Sequence, residues 1–129
     1  MSYAGVSDFI SRLKEGGHQG ARRDERRESN GRWIGVPFSA ESPVWRAASP
    51  INYLSHDDPP LLLVHAKDDG VAPFQQSVQM YETMKPMQPY TELLLFEEGG
   101  HGIRTSKVIG DEAWAATIAF FNTHLTHNV

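Results

Sequence analysis

The sequence contains no cysteine, no long apolar run and no excess of basic charge, and each absence removes a class of function. Without cysteine, the 129 residues form no disulfide and offer neither a thiol nucleophile nor a Cys-ligated zinc or iron–sulfur site. Apolar stretches such as Leu61–Val64 are far shorter than the ~18 residues of a membrane span. The 12 Lys+Arg against 16 Asp+Glu give a net charge of −4, which argues against nucleic-acid binding.

The amino-terminal residues do not resemble a signal peptide. Met1–Phe9 carries Asp8 and lacks both a basic region and an apolar region. We therefore expect a cytoplasmic protein with no membrane partner, no nucleic-acid partner and no cofactor.

A polar segment over residues 15–32 interrupts an otherwise ordinary globular composition. Four arginines lie within six positions, broken by Asp24 and Glu25, and glycines flank the cluster. One interpretation is a small anion-binding patch. The other is a solvated insertion, because the segment has almost nothing to bury against its ordering entropy. We expect a polar loop over 15–32 within a single domain spanning 1–129.

Three short apolar segments alternate with amphipathic ones. Leu61–Val64 and Leu93–Phe96 are continuously apolar, which predicts strands covered on both faces, as in a parallel sheet. Met1–Ala4 is a weaker strand candidate. The alternation predicts an α/β fold with about three mostly parallel strands and flanking helices.

Helical spacing and capping residues place the helices between these strands. The first helix is expected to begin at Ser7 or Asp8 as N-cap. A second is expected from Pro73 and a last one from near Asp111. The last helix has one apolar face, formed by Trp114, Ile118, Phe121 and Leu125.

Polar residues follow two of the predicted strands. Residues 65–73 follow Leu61–Val64 and include Asp69, and residues 97–102 follow Leu93–Phe96 and include His101 among three glycines. Catalytic groups collect at the carboxyl ends of parallel strands, so we expect Asp69 and His101 to lie within hydrogen-bonding reach. A carboxylate bonded to an imidazole would leave the other ring nitrogen free as a general base.

Several short motifs occur in a specific order from about Ser2 to Leu125. They are Ser2–Asp8, Ala48–Ile51, Asp58–His65, Asp69 with Val71 and Pro73, and Gly99–Gly102. In this order the chain resembles the C-terminal part of an α/β-hydrolase of the prolyl oligopeptidase and esterase type.

The resemblance implies that Asp69 and His101 are the acid and base of a Ser-Asp-His triad. Asp68 competes for the acid role, but the family pattern places the acid four residues after His65. His65 itself is expected to pack beside the site. A metal site built from His65, Asp69 and His101 is an alternative that no ligand-spacing motif supports.

The sequence departs from this family at the nucleophile. It contains no Gly-x-Ser-x-Gly elbow, the turn that carries the catalytic serine in such enzymes. Gly5-Val6-Ser7 comes nearest, but Asp8 and Phe9 follow it. The oxyanion-hole loop of the family is missing as well. We therefore expect the chain to hold the last three strands of a larger sheet and not to be competent alone.

Three functions remain open. The chain is the acid–base part of a serine peptidase or esterase acting on a small ester or short peptide, a non-catalytic interaction module, or a small enzyme in which Asp69 and His101 activate water directly. The first strand would present an open edge in each case. A homodimer or a separate N-terminal hydrolase half is the expected partner.

Overall fold

The computed structural model describes residues 1–15, 21–107 and 109–125, which form three strands and five helices. The strands are β1 (Ser2–Tyr3), β2 (Leu62–Ala66) and β3 (Glu92–Phe96). The helices are α1 (Phe9–Glu15), α2 (Ala21–Ile34), α3 (Pro43–Ala47), α4 (Gln75–Met84) and α5 (Gly110–Leu125). Two 3-10 turns lie at Pro50–Tyr53 and Ile103–Thr105. None of the described helices is long and apolar enough to cross a membrane.

The strands form one parallel sheet in the order β1-β2-β3. Tyr3 pairs with Val64, and β2 pairs with β3 from Leu62 opposite Glu92 to Ala66 opposite Phe96. Every residue of the central strand β2 is buried. The parallel α/β architecture predicted from the continuous apolar runs is therefore confirmed.

The main core lies between the sheet and α5. Because side chains alternate along a strand, Leu62, Val64 and Ala66 share one face of β2, and all three belong to this core. The Tyr3 hydroxyl donates to Ala113 O over 3.0 Å and ties β1 to α5. The intervening residues Leu63 and His65 face the opposite side of the sheet, where His65 meets α4 through Ser77.

A second core centres on Trp45 in α3. Its side chain is fully buried, and its indole N–H donates to Pro37 O over 3.0 Å. Phe38 packs edge-on against it with ring centroids 5.0 Å apart, and Phe9 of α1 does so at 6.5 Å. This aromatic cluster fixes α1 and α3 beside the sheet.

Asp8, one of the two expected caps, begins α1. Its carboxylate accepts the Ile10 backbone N–H over 2.8 Å, which satisfies a donor that the first helical turn leaves open. Ser7 has a different role. Its hydroxyl is buried and donates to Gln76 O over 2.7 Å, so it joins the turn before α1 to α4.

The polar loop expected over residues 15–32 is wrong for Glu15, which ends helix α1, and for residues 21–32, which belong to helix α2 (Ala21–Ile34), while residues 16–20 lie outside the described part of the chain. Alanine, arginine and glutamate favour helix, and charges spaced four apart support one another on its surface. Arg32 pairs with Glu28 at 2.6 Å. Arg27 donates to Leu13 O over 3.1 Å and lies 4.8 Å above the Phe38 ring. A polar composition was compatible with an exposed helix as well as with a loop.

Helix α5 turns its most apolar side outward. An amphipathic helix normally packs that side on the core, yet Trp114, Ile118 and Leu125 are exposed. The residues that α5 buries are Gly110, Ala113, Thr117 and Phe120. Most of them have small side chains. Phe121, the fourth residue of the expected apolar face, packs against the core. The side chains of Trp114, Ile118 and Leu125, called the α5 stripe below, thus form an exposed apolar surface, with the Arg104 guanidinium 4.6 Å above the Trp114 ring.

Candidate active site

The loops after β2 and β3 lie side by side at the carboxyl end of the sheet. The Lys67 N–H donates to Phe96 O over 2.8 Å, which continues the pairing of the two strands into their loops. Asp69 follows two residues later, and the Asp69 N–H donates to Ala66 O over 3.2 Å. The turn directs the Asp69 side chain back toward the loop that carries His101. Residues 32 positions apart in the chain therefore meet here.

Asp69 and His101 are in direct contact, as the sequence predicted. The Asp69 Oδ2 atom lies 2.9 Å from His101 Nδ1. The other carboxylate oxygen, Oδ1, accepts the backbone N–H groups of Val71 over 2.7 Å and Ala72 over 2.9 Å. The Asp69 side chain has no exposed surface. A fully buried carboxylate is thus held by donors on both of its oxygens.

These donors favour the charged form of Asp69. Burial by itself raises the pKa of the carboxyl group, because desolvation penalises the anion. The N–H of Ala72, the ring of His101 and the N–H of Val71 act in the opposite direction and outweigh it. The pKa of Asp69 is consequently lowered from its ordinary value, so the carboxylate is ionised at neutral pH.

His101 presents one nitrogen to Asp69 and the other to the outside. Since the carboxylate only accepts, the contact places the neutral ring's proton on Nδ1 and leaves Nε2 with a lone pair. The ring is about half exposed, at 48% of its side-chain surface. Within the described part of the chain, Nε2 has no hydrogen-bond partner. The geometry is that of a general base facing an incoming group.

Asp68, the competing candidate for the acid, holds the His101 loop instead. Its Oδ1 accepts the Gly100 N–H over 2.8 Å. The two adjacent carboxylates therefore bind two adjacent residues of the neighbouring loop, one by its backbone and one by its ring. The described geometry gives Asp68 no contact with His101.

Two glycines before His101 allow this loop to form. Gly99 and Gly100 have φ values of 146° and 61°, in the region that L side chains rarely adopt. A Cβ on Gly99 would also meet the end of the Ile109 side chain, which would have to move. The backbone conformation thus favours glycine at both positions, and Gly99 in addition leaves room for Ile109.

His65 lies closer to the site than sequence reasoning indicated. The expectation that it packs beside the site is confirmed, since it is fully buried on β2. Its Nε2, however, also lies 3.2 Å from Asp69 Oδ2 and 3.0 Å from Ala72 O. The opposite nitrogen, Nδ1, lies 2.7 Å from Ser77 Oγ. Asp69 thus contacts two histidines, one buried and one exposed.

Arg12 is a site neighbour that the sequence did not reveal. It belongs to α1, is 8% exposed and donates from Nη2 to Val71 O over 3.0 Å. Burial and the nearby Arg26 lower its pKa, and the Asp69 carboxylate opposes that shift. Nothing in its spacing distinguishes it from an ordinary surface arginine, because it lies beside the apolar positions of a short helix.

No serine hydroxyl contacts His101 within residues 1–15, 21–107 and 109–125. Ser7, the serine nearest in pattern to a nucleophile elbow, is buried against Gln76. In the same ranges no group of three His, Cys, Asp or Glu side chains has an arrangement that could hold a metal ion.

Comparisons with known proteins agree with this architecture. The human acylamino-acid-releasing enzyme is 31% identical over 98 residues, which cover 70% of this chain and 13% of that protein. An uncomplexed acylaminoacyl peptidase from Pyrococcus horikoshii superposes with a TM-score of 0.69 at 22% identity, over 98% of this chain and 20% of that one. An esterase from Pyrococcus furiosus does so with a TM-score of 0.55 at 18% identity, over 93% and 44%.

The chain spans about one eighth of the length of the curated relative, so the comparison covers only that part of the relative. At such identities the two solved structures establish the fold, which is that of the α/β-hydrolases. A match to the BD-FAE family covers residues 1–84, a range that includes Asp69 and ends before His101. The chain therefore belongs to the BD-FAE family and has the fold of α/β-hydrolases of the prolyl oligopeptidase type.

Proposed function

We propose that the chain supplies the acid and the base of a Ser-Asp-His hydrolase, with Asp69 as the acid and His101 as the base. The observation that carries this proposal is the contact of 2.9 Å between Asp69 Oδ2 and His101 Nδ1, with Nε2 turned outward. A buried, ionised carboxylate beside a half-exposed imidazole is the arrangement that activates a hydroxyl nucleophile.

In the proposed reaction His101 transfers one proton in each of two half-reactions. In the first, Nε2 accepts the hydroxyl proton of the nucleophile as its oxygen bonds to the acyl carbon, and the ring becomes an imidazolium stabilised by Asp69. Nε2 then gives this proton to the departing alcohol or amine as the acyl–leaving-group bond breaks. In the second, Nε2 accepts a proton from water as the water oxygen bonds to the acyl carbon, and it gives that proton to the nucleophile oxygen as the acyl-enzyme bond breaks and the carboxylic acid leaves. Asp69 stays ionised throughout.

The nucleophile and the oxyanion donors are proposed to come from a separate hydrolase segment. The sequence has no Gly-x-Ser-x-Gly motif, and its nearest serine is buried in another contact. The relatives are described as an acylamino-acid-releasing enzyme, an acylaminoacyl peptidase and an esterase. We accordingly propose acyl substrates, either a small ester or a short acylated peptide.

An activated-ester assay tests the acid–base pair in the chain alone. With p-nitrophenyl acetate we expect a rate little above that of free imidazole, because a base without an oriented nucleophile supplies little catalysis. His101→Ala is expected to remove the part of that rate to which the His101 ring contributes. His56→Ala is the matched control, because His56 is exposed and is not one of the two histidines that contact Asp69.

The outcomes separate the three possible functions. Equal losses in the two variants would reject His101 as a special base and favour a non-catalytic module. Rapid turnover that His101→Ala abolishes would instead show a nucleophile, or a directly activated water, within this chain. Labelling with a fluorophosphonate then distinguishes these two, because it marks an activated serine and not a water.

We also propose that the chain associates with a second copy or with a separate N-terminal hydrolase half. Two features support association: among the described residues β1 pairs on one side only, and the α5 stripe is exposed. Open strand edges and contiguous apolar patches both promote contact between chains. Light scattering at micromolar concentration is expected to show a dimer or larger species. A monodisperse particle of 14.4 kDa would contradict this.

A further inference from the structure

His65 is a buried residue, and both nitrogens of its imidazole ring have hydrogen-bond partners. It lies on the central strand with none of its surface exposed. Burying such a polar group costs free energy unless both nitrogens find partners. They do: Nδ1 contacts Ser77 Oγ of α4 at 2.7 Å, and Nε2 contacts both Asp69 Oδ2 and Ala72 O.

The chemistry of these partners fixes the proton on His65. A carboxylate oxygen and a backbone carbonyl oxygen can only accept hydrogen bonds, so the nitrogen between them must carry the hydrogen. The Ser77 hydroxyl can donate or accept, and in the neutral ring it completes Nδ1 as an acceptor. The neutral form of His65 thus carries an Nε2–H group shared between Asp69 Oδ2 and Ala72 O.

We infer that His65 is a positioning residue that holds the Asp69 carboxylate toward His101 from the buried side. This inference rests on the proposed function, in which Asp69 orients His101. Asp69 Oδ1 is fixed by two backbone N–H groups, but Oδ2 receives donors only from side chains. One of these, His101, lies on a half-exposed loop. His65 is the one that the fold holds rigidly.

A neutral donor at His65 suits the charge of the site better than a charged one would. An imidazolium at this position would compete with His101 for the single negative charge of Asp69, whereas a neutral donor orients the carboxylate and leaves its charge for His101. The other charged groups close to these contacts are Arg12 and Asp68. Arg12 donates to Val71 O, and Asp68 accepts the Gly100 N–H, so neither occupies Oδ2.

The test is a long-range proton–nitrogen NMR spectrum of the whole chain at mildly alkaline pH, which shows the nitrogen that carries the proton in each histidine. In the wild type we expect Nε2–H for His65 and Nδ1–H for His101. Two amide variants separate the contacts of His65. His65→Gln places an N–H near the position of Nε2, and His65→Asn reaches only toward Ser77.

His65→Gln is expected to keep the Nδ1–H signature of His101, and His65→Asn is expected to lose it. Thr117→Val is the control for general destabilisation, because Thr117 is a buried hydrogen-bonding residue on the other face of the sheet. The inference is overturned if His65→Asn retains the wild-type His101 signature, or if Thr117→Val loses it equally.

The wild-type spectrum alone is decisive if His65→Asn does not fold. A His65 ring that carries its proton on Nδ1 cannot donate to Asp69 and would refute the inference. The NMR spectrum requires no turnover, so it tests the role of His65 independently of the ester assay. If the assay shows that His101 is not a base, the spectrum can still show that His65 orients Asp69.

Discussion

Asp69→Asn is expected to abolish the proposed base function of His101 while leaving the fold intact. The asparagine side chain has nearly the same shape, and its amide oxygen can still accept the N–H groups of Val71 and Ala72. Its NH₂ group then replaces Oδ2 and meets His101 Nδ1, while the buried His65 Nε2–H keeps Ala72 O as its acceptor. Two donors cannot share a hydrogen bond, so the His101 proton moves to Nε2. The nitrogen that faces the substrate then has no lone pair.

The size of the loss in rate depends on whether a nucleophile completes the triad. In a complete triad, the loss of the correct histidine tautomer lowers kcat by about 10⁴. In the chain alone, we expect loss of the His101-dependent part of ester hydrolysis and an Nε2–H signature for His101 by NMR. Asp68→Asn is the matched control, because an amide oxygen still accepts the Gly100 N–H. An Asp69→Asn chain with unchanged rate and tautomer would contradict the proposed pair.

The same variant also alters stability at acid pH. Because the folded pKa of Asp69 is lowered below its ordinary value of 3.8, ionisation of this group stabilises the fold fully above that value. The contribution is lost as the pH falls from there through the lower folded pKa. The difference in unfolding free energy between wild type and Asp69→Asn is expected to shrink in that window. Denaturant titrations at several acidic pH values measure it.

Trp45→Ala is expected to cost about 3–5 kcal/mol of unfolding free energy, the usual range for a buried large aromatic residue. The change removes a fully buried side chain, leaves a cavity between Phe9 and Phe38, and deprives Pro37 O of the indole donor. Urea unfolding followed by circular dichroism measures the loss. A domain whose total unfolding free energy is only about 5 kcal/mol is expected to be largely unfolded after such a change.

Trp33→Ala is the matched control for Trp45. Trp33 contacts the same Phe9 ring, with centroids 5.9 Å apart, but it is 74% exposed. Its replacement is expected to cost about 0.5–1 kcal/mol, the scale of an aromatic pair. Equal losses in the two variants would show that the cluster does not depend on burial of Trp45.

The sequence was sufficient to predict the sheet and the central contact of the site. Continuous apolar runs such as Leu61–Val64 indicate strands buried on both faces, and parallel strands end at one edge. The two loops that follow such strands and carry carboxylate and imidazole side chains must therefore lie side by side. A carboxylate of the first loop is therefore expected beside His101, and the resemblance to α/β-hydrolases selects Asp69 over Asp68 as that carboxylate.

Other features depended on contacts that composition alone does not report. Helix α2 has an ion pair between Arg32 and Glu28 within the helix and a contact of Arg27 with the Phe38 ring outside it. The outward position of the α5 stripe depends on which side of the helix meets the sheet, where Tyr3 binds Ala113 O and Phe120 belongs to the core. Arg12 and the second contact of His65 likewise require knowledge of which backbone atoms lie opposite them.

The donors that hold Asp69 all come from residues 65–101, a single strand–helix–strand stretch of the chain. Such a stretch can pass between related hydrolases by recombination as one piece. Breakpoints before β2 and after Gly102 would carry His65, Ser77 and the His101 loop together. A breakpoint inside α4 would join a histidine from one parent to the helix of another. Chimeras cut at the outer points are therefore the ones expected to inherit a working acid and base.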